Sequence, residues 1–180
     1  MTDTIRYASA NSSLGPIVAA LSDRGLVTVE FGDMTEADLT ARFPDAVLIK
    51  DAAALGETLG KLVDLIDHPE RDVDFALDLQ GSAFEIEVWQ ALRQIPVGST
   101  VTYGELAARL GAPRQAREVG EACAANKLAV VVPCHRVVKK DGSIAGYRWG
   151  FRRKRTLLDR EHRARLLRPP IAIPHGAANL

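Results

Sequence analysis

The sequence predicts an α/β N-terminal half followed by a mainly α-helical C-terminal half with a helix-turn-helix outline. Three observations support this. Short β-rich runs separated by glycine, serine, asparagine and aspartate turns fill the first 31 residues. Behind Ser82, and again behind Thr102, apolar residues recur at helical spacing. The formal charge is zero overall but changes sign along the chain: residues 1–80 carry 15 acids and 6 bases, and residues 101–168 carry 16 bases and 6 acids.

The elements follow in order. "IRYASA", "GPIVAAL" and "LVTVEF" predict three strands of a meander, broken at "NSSLG" and "SDRG". "EADLTARF" predicts a short helix, and "AALGETLGKLVDLIDH" (53–68) predicts a longer one that stops before Pro69. "DFALDL" predicts a last strand, so the first unit spans 1–80. Ser82 then caps "AFEIEVWQALRQI", with Phe84, Val88, Trp89 and Leu92 on one face. "PVGS" breaks that helix. Thr102 caps "YGELAARL" with Glu105 three residues on, a capping-box pattern. "GAP" turns the chain into a second helix, "RQAREVGEACAAN" (114–126). "AVVVPCHRVV" predicts a buried extended run, "KKDGS" a turn and "FRRKRTLLDREHRARLL" a basic terminal helix, closing a second unit of 81–168. Three prolines and no helical pattern predict a loose tail over 169–180.

Composition narrows the function classes. The hydrophobic content of 47% can fill a core, and no apolar run approaches the roughly 20 residues of a membrane span. "MTDTIRYAS" lacks the basic-then-apolar order of a signal peptide, which predicts a cytoplasmic protein. Two cysteines in such a chain suggest thiols, not a disulfide framework. A basic second half points to a polyanion partner such as nucleic acid, ahead of the alternative of a bipolar protein whose halves attract each other.

On a wheel of about 100° per residue, the second helix of the pair separates into two sides. Ala116, Val119, Ala122 and Cys123 point toward a core, which makes Cys123 packing. Arg117, Gly120, Glu121 and Ala124 share the other side, where small residues permit close approach to a groove.

Cys134 has another setting. Pro133 removes a backbone donor, so the run bends there or forms an edge. With His135 adjacent, the pair suits core packing, half a metal site, or a nucleophile with its base. A thiol of ordinary pKa near ~8.5 needs a base or nearby positive charge to react at neutral pH. Neighbours in an extended run face opposite ways, so a bridging water is more natural than direct Cys–His contact. Glu161 is a candidate to orient the histidine. No second Cys/His pair lies at zinc-ligand spacing.

"IPVGSTVTYGELA", "ACAANKLAVVVPCHRVVKKDGSIAGYRWG" and "RRKRTLLDRE" together resemble the O6-alkylguanine-DNA alkyltransferases, in particular the methyltransferase domain of the bacterial adaptive-response protein. The match over 81–162 is specific. The N-terminal half resembles the family's α/β domain more loosely, which implies a ribonuclease-H-like layout with a mainly antiparallel sheet. The resemblance implies single-turnover DNA repair on duplex DNA containing O6-methylguanine, with O4-methylthymine as a second lesion, by a monomer with no cofactor. It makes Cys134 the alkyl acceptor, with His135 acting through a water and Glu161 orienting it. Asn126 holds the turn before the active-site run. Arg117 is the finger that fills the vacated stack, and Ala116 and Gly120 fit the minor groove. Tyr103 presents its hydroxyl to the base and its phosphate. The carbonyls of Cys134 and Val137 accept from the guanine amino group, while Tyr147 and the Arg148 N–H close the O6 side. Trp149 near the pocket mouth and the small Ala129 predict a preference for small alkyl groups.

The chain departs from the family pattern in two places. Part of the family carries an N-terminal zinc site, but this N-terminal half has no cysteine, so no structural metal is expected. Glu118 and Glu121 put acids on or near the helix expected to face DNA. Two other classes stay open: a non-catalytic lesion sensor, which lacks the acceptor cysteine, and a helix-turn-helix regulator, which prefers one sequence.

Overall fold

A computed structural model describes residues 2–71, 73–144 and 146–168, and the predicted loose tail lies outside them. A mixed sheet with flanking helices opens the chain, and helices dominate after Ser82. Three antiparallel strands, β1 (Thr4–Ser12), β2 (Gly15–Ser22) and β3 (Gly25–Phe31), form the predicted meander. Helix α1 (Glu36–Arg42) starts at a Thr35 capping box and leads into β4 (Val47–Lys50), which pairs parallel with β1. The sheet order is therefore β3-β2-β1-β4. β4 escaped the sequence reading because it is four residues long and its burial does not alternate cleanly.

Helix α2 (Ala52–Asp67) begins where the Asp51 side chain accepts from the Ala54 amide, and it buries Leu55, Leu59, Leu62 and Ile66. These residues join Ala8, Ile17, Ala19, Leu26 and Val29 in the main buried cluster. Ile5, Ala20, Val27, Leu39 and Phe43 form a separate, smaller one that includes α1. β3 contributes to both clusters, which is why it is buried along nearly its whole length.

The second half contains α3 (Ala83–Arg93), β5 (Val101–Thr102), α4 (Tyr103–Arg109), α5 (Ala116–Ala124), β6 (Val137–Val138) and α6 (Phe151–Leu167). Both capping boxes are present: Ser82 with Glu85, and Thr102 with Glu105. The Trp89 indole donates to the Ala122 carbonyl at 2.8 Å, tying α3 to α5. The short β5 and β6 pair in parallel.

Two segments differ from expectation. "DFALDL" is not a strand. It touches the sheet at one bridge, Leu26 with Leu77, through the Leu26 amide on the Ala76 carbonyl and the Asp78 amide on the Leu26 carbonyl. Gly25 makes this approach possible, because its φ is +141° and a Cβ there would lie 2.4 Å from the Ala76 oxygen. The run 129–138 is buried for most of its length but not extended. Val130 has φ +69°, Cys134–Arg136 form one turn of 3-10 helix, and only Val137–Val138 are strand. Proline at 133 and side-chain hydrogen bonding from Asn126 override the β-propensity of the three valines Val130, Val131 and Val132.

The two halves share one buried cluster, which runs from the sheet and α2 through Val88, Trp89, Leu92 and Val119 to Leu128, Val132 and Cys134. They also share backbone hydrogen bonds. The Val29 amide donates to the Lys127 carbonyl, and the Ala129 amide donates to the Val29 carbonyl. The open edge of β3 is thereby covered, and the chain leading to Cys134 is fixed to the sheet.

Candidate active site

The turn that presents Cys134 is built around one side chain. Asn126, buried at the end of α5, donates from Nδ2 to the Val132 carbonyl at 2.9 Å and accepts from the Leu128 amide at 2.9 Å. The same Nδ2 donates to Cys134 Sγ at 3.3 Å. These contacts close a loop that holds Val130 in left-handed backbone, a conformation costing about 1–2 kcal/mol for an L-residue. Among the described residues Val130 is the one non-glycine residue with positive φ, and it lies four positions before the thiol.

Cys134 is buried. Burial pushes its thiol pKa up, while the Asn126 hydrogen bond and the charges of Lys154 and Arg148 pull it back. His135, also buried, lies within 2.7 Å of Glu161 Oε1 through Nε2. Its Nδ1 is buried and makes no hydrogen bond among the described residues. Burial alone would raise the Glu161 pKa. The facing His135 and the Arg136 fork outweigh it and hold the carboxyl at about 2. Arg136 donates to both Glu161 oxygens at 2.9–3.1 Å and to the Ile95 carbonyl at 2.6 Å. The histidine therefore faces a fixed, ionised acid.

The thiol lines a cavity of about 310 Å³ together with Tyr103 of α4, Gly120, Cys123 and Ala124 of α5, and Gly146, Tyr147 and Arg148. Burial pushes the Tyr103 hydroxyl up to about 12. The Tyr147 hydroxyl is buried without a hydrogen-bond partner among the described residues. A second cleft of about 480 Å³ reaches Pro133, Arg136 and Glu161 but not the thiol, so the chemistry belongs to the smaller one. Among the described residues no group of three or more His, Cys, Asp or Glu is arranged to hold a metal, and no helix is long and apolar enough to cross a membrane.

The other residues singled out in the sequence fall as follows. Arg117 projects from α5 with its side chain 88% exposed, within 3.2 Å of Glu121. By spacing it shares a stripe of α5 with Gly120 and Ala124 of the cavity wall. Ala116 is half-buried at the start of α5, outside the cavity. Val137 is fully buried in β6 and does not line the cavity; its carbonyl accepts from Lys154 Nζ at 2.7 Å.

Three expectations need correction. Trp149 is not at the pocket mouth: its indole N–H turns away to the Glu30 carboxylate, and it meets the Tyr147 ring edge-on at 5.1 Å. Ala129 does not line the cavity either, since its backbone is paired with Val29. Cys123 is buried as predicted but also lines the cavity beside Cys134, and burial raises its thiol pKa to about 12.

The sequence reading missed Lys154, Arg136 and Glu30. Lys154 had a legible signal, because it shares one face of α6 with Leu157, Glu161 and Ala164, all buried. A lysine on such a buried face is an informative signal, because lysine is almost never fully buried unless its charge is paired. Burial lowers its pKa, and the two cysteines oppose that shift.

A buried thiol on a strained turn, next to a histidine held by an ionised acid and facing a helix pair, defines a protein whose chemistry centres on one cysteine. The chain matches the family described as 6-O-methylguanine DNA methyltransferase, DNA binding domain, over residues 83–163. It is 44% identical to the regulatory protein Ada of Salmonella typhimurium, over 88% of this chain and 46% of that protein, so it spans less than half the length of that relative. It is 36% identical to the methylated-DNA–protein-cysteine methyltransferase of Mycolicibacterium paratuberculosis, over 88% of this chain and 93% of that one. In structure it is similar to Mycobacterium tuberculosis OGT in complex with DNA, with a TM-score of 0.77 and 34% identity, over 88% of this chain and 94% of that chain. The chain belongs to the O6-methylguanine-DNA methyltransferase family.

Proposed function

We propose that the chain repairs DNA by direct reversal: it turns an O6-alkylguanine out of the duplex and moves the alkyl group irreversibly to Cys134. The observation that carries this is the setting of the thiol, buried in a concave cavity beside a histidine held by an ionised acid. The Cys134 proton passes through a water to His135, whose charge Glu161 supports. The S–C bond forms as the C–O6 bond breaks. Tyr103, kept protonated by its raised pKa, donates to the departing base. The proton from the thiol then restores Tyr103, so the net products are the thioether and guanine. The thioether does not hydrolyse, so each molecule acts once.

In this reading α4 and α5 are a helix-turn-helix with α5 in the minor groove, where sequence information is poor and a lesion at any position is accessible. Arg117 enters the stack, Ala116 and Gly120 allow close approach, and a methylated O6 lowers the cost of flipping. Tyr147 and the Arg148 amide close the O6 side, and the Cys134 carbonyl receives the guanine amino group. The N-terminal sheet is ribonuclease-H-like, the units are 1–80 and 81–168, and the protein acts as a cytoplasmic monomer without cofactor or metal. O6-methylguanine in duplex DNA is the substrate and O4-methylthymine the second lesion.

Intact-mass analysis after incubation with DNA containing one O6-methylguanine tests the proposal. One methyl per chain, mapped to Cys134, is expected. Repeated turnover, or a label elsewhere, defeats it.

A further inference from the structure

The cavity wall formed by Gly146, Tyr147 and Arg148 belongs to no helix or strand. Among the described residues its own backbone supplies a single turn, in which the Gly150 amide donates to the Tyr147 carbonyl. Something else must hold it, and the contacts lead to Glu30 on β3. The buried Glu30 carboxylate receives the Trp149 indole N–H on one oxygen. Its other oxygen receives Arg42 of α1 at 2.7 Å and lies 3.1 Å from the Arg148 guanidinium. Arg148 also donates to the Asn126 carbonyl at 3.0 Å and stacks over Trp149 at 5.6 Å. Trp149 in turn supports the Tyr147 ring edge-on. One carboxylate thus fixes Arg148 of an otherwise irregular wall and Trp149 next to it in the chain, behind the wall. Because it is buried with three donors, moving any one of them leaves a charge poorly satisfied.

We infer that Glu30 is a positioning residue which, by anchoring Arg148 and Trp149, keeps Tyr147 close to Cys134 and so sets the size of alkyl group the pocket takes. This rests on the alkyl-transfer function proposed above and goes beyond it. It assigns a residue of the N-terminal sheet to substrate selection, and it replaces direct steric blocking by Trp149 with support from behind. Arg42 contributes by holding Glu30 in place, bonded also to the Thr28 hydroxyl at 3.2 Å.

The test compares inactivation of the full chain by free O6-methylguanine and O6-benzylguanine, in the wild type and in Glu30→Gln, Glu30→Leu, Arg148→Ala and the double variant Glu30→Gln with Arg148→Ala. Thermal melts are run beside it. The benzyl-to-methyl rate ratio is the readout, because general loss of stability lowers both rates together. Glu30→Gln, which keeps an acceptor for the indole, is expected to raise the ratio about threefold, and Glu30→Leu about tenfold. The double variant should exceed Arg148→Ala by much less than the product of the single effects, since both act on the same wall. An unchanged ratio in Glu30→Gln, or fully multiplicative effects, overturns the inference; Glu30→Gln also answers the question if Glu30→Leu fails to fold. If the wild type transfers no methyl group to Cys134, the function itself falls, and the inference falls with it.

Discussion

At the scale of single residues, the site contrasts two thiols. Cys123 and Cys134 line one cavity, and burial raises both pKa values. Of the two thiols, the Asn126 side chain donates to that of Cys134, and Cys134 alone has His135 as its chain neighbour. We therefore expect Cys134→Ser to abolish transfer and Cys123→Ser to keep most of it, as read by the mass of the product. Methylation of Cys123 in the wild type would contradict this. Glu161 gives a second expectation. Its folded pKa of about 2 lies below its ordinary 4.5. Its ionised form therefore adds stability above pH 4.5, and this is lost as pH falls toward 2. The difference in melting temperature between wild type and Glu161→Gln should shrink over that window, and the variant should lose about a hundredfold in transfer rate at neutral pH, as expected for removing the partner of a general base. A pH-independent difference would mean that Glu161 acts by packing. The sequence made the thiol, histidine, acid and Asn126 legible through the motifs that carry the resemblance to the alkyltransferase family. It hid Glu30, because nothing local marks a glutamate in a β-rich run as the partner of a tryptophan 119 residues away.

At the scale of elements, hydrophobic periodicity was a good guide wherever an element had one buried face. The helices α2 and α6 fall within a residue or so of expectation, and the meander is as read. It failed where tertiary hydrogen bonds outweigh propensity, as in the valine-rich run bent by Asn126, and where an element is too short to carry a period, as in β4 and β5. Helix α5 now allows sharper expectations. Arg117 is exposed and pairs with Glu121, itself 65% exposed, rather than with another partner for the acid such as Arg114 or Lys127. An exposed pair at this spacing adds little stability. Under the proposed function its effect belongs to DNA binding, since a finger held by an acid must be released before it enters a base stack. The double change Glu118→Ala with Glu121→Ala should tighten duplex binding at low salt and steepen its salt dependence, with the melting point nearly unmoved. Arg117→Ala should lose most repair of duplex DNA yet react almost normally with free O6-methylguanine. Equal loss on both substrates would show that Arg117 supports the pocket instead.

At the scale of the whole molecule, the sheet does more than accompany the reactive half. The edge of β3 receives the chain at Lys127 and Ala129 just before the strained turn, and Glu30 of the same strand holds the wall opposite. A single buried cluster runs through both halves, so removing residues 1–80 would expose part of it, including Leu128 and Ala129 where they pair with Val29 of β3. Each large apolar side chain exposed in this way costs about 1.5–3 kcal/mol relative to burial, a large share of the stability of a small helical unit. We expect residues 81–180 produced alone to melt at lower temperature and to transfer methyl groups at least about tenfold more slowly, in the range seen when groups supporting a reactive centre are lost. The surviving activity should also show a raised benzyl-to-methyl ratio, because the wall has lost its anchor. Adding separately produced residues 1–80 should recover part of the rate. A fragment with the melting point, rate and ratio of the full chain would mean that the helical half forms the site unaided, and that the hydrogen bonds from β3 are incidental to it.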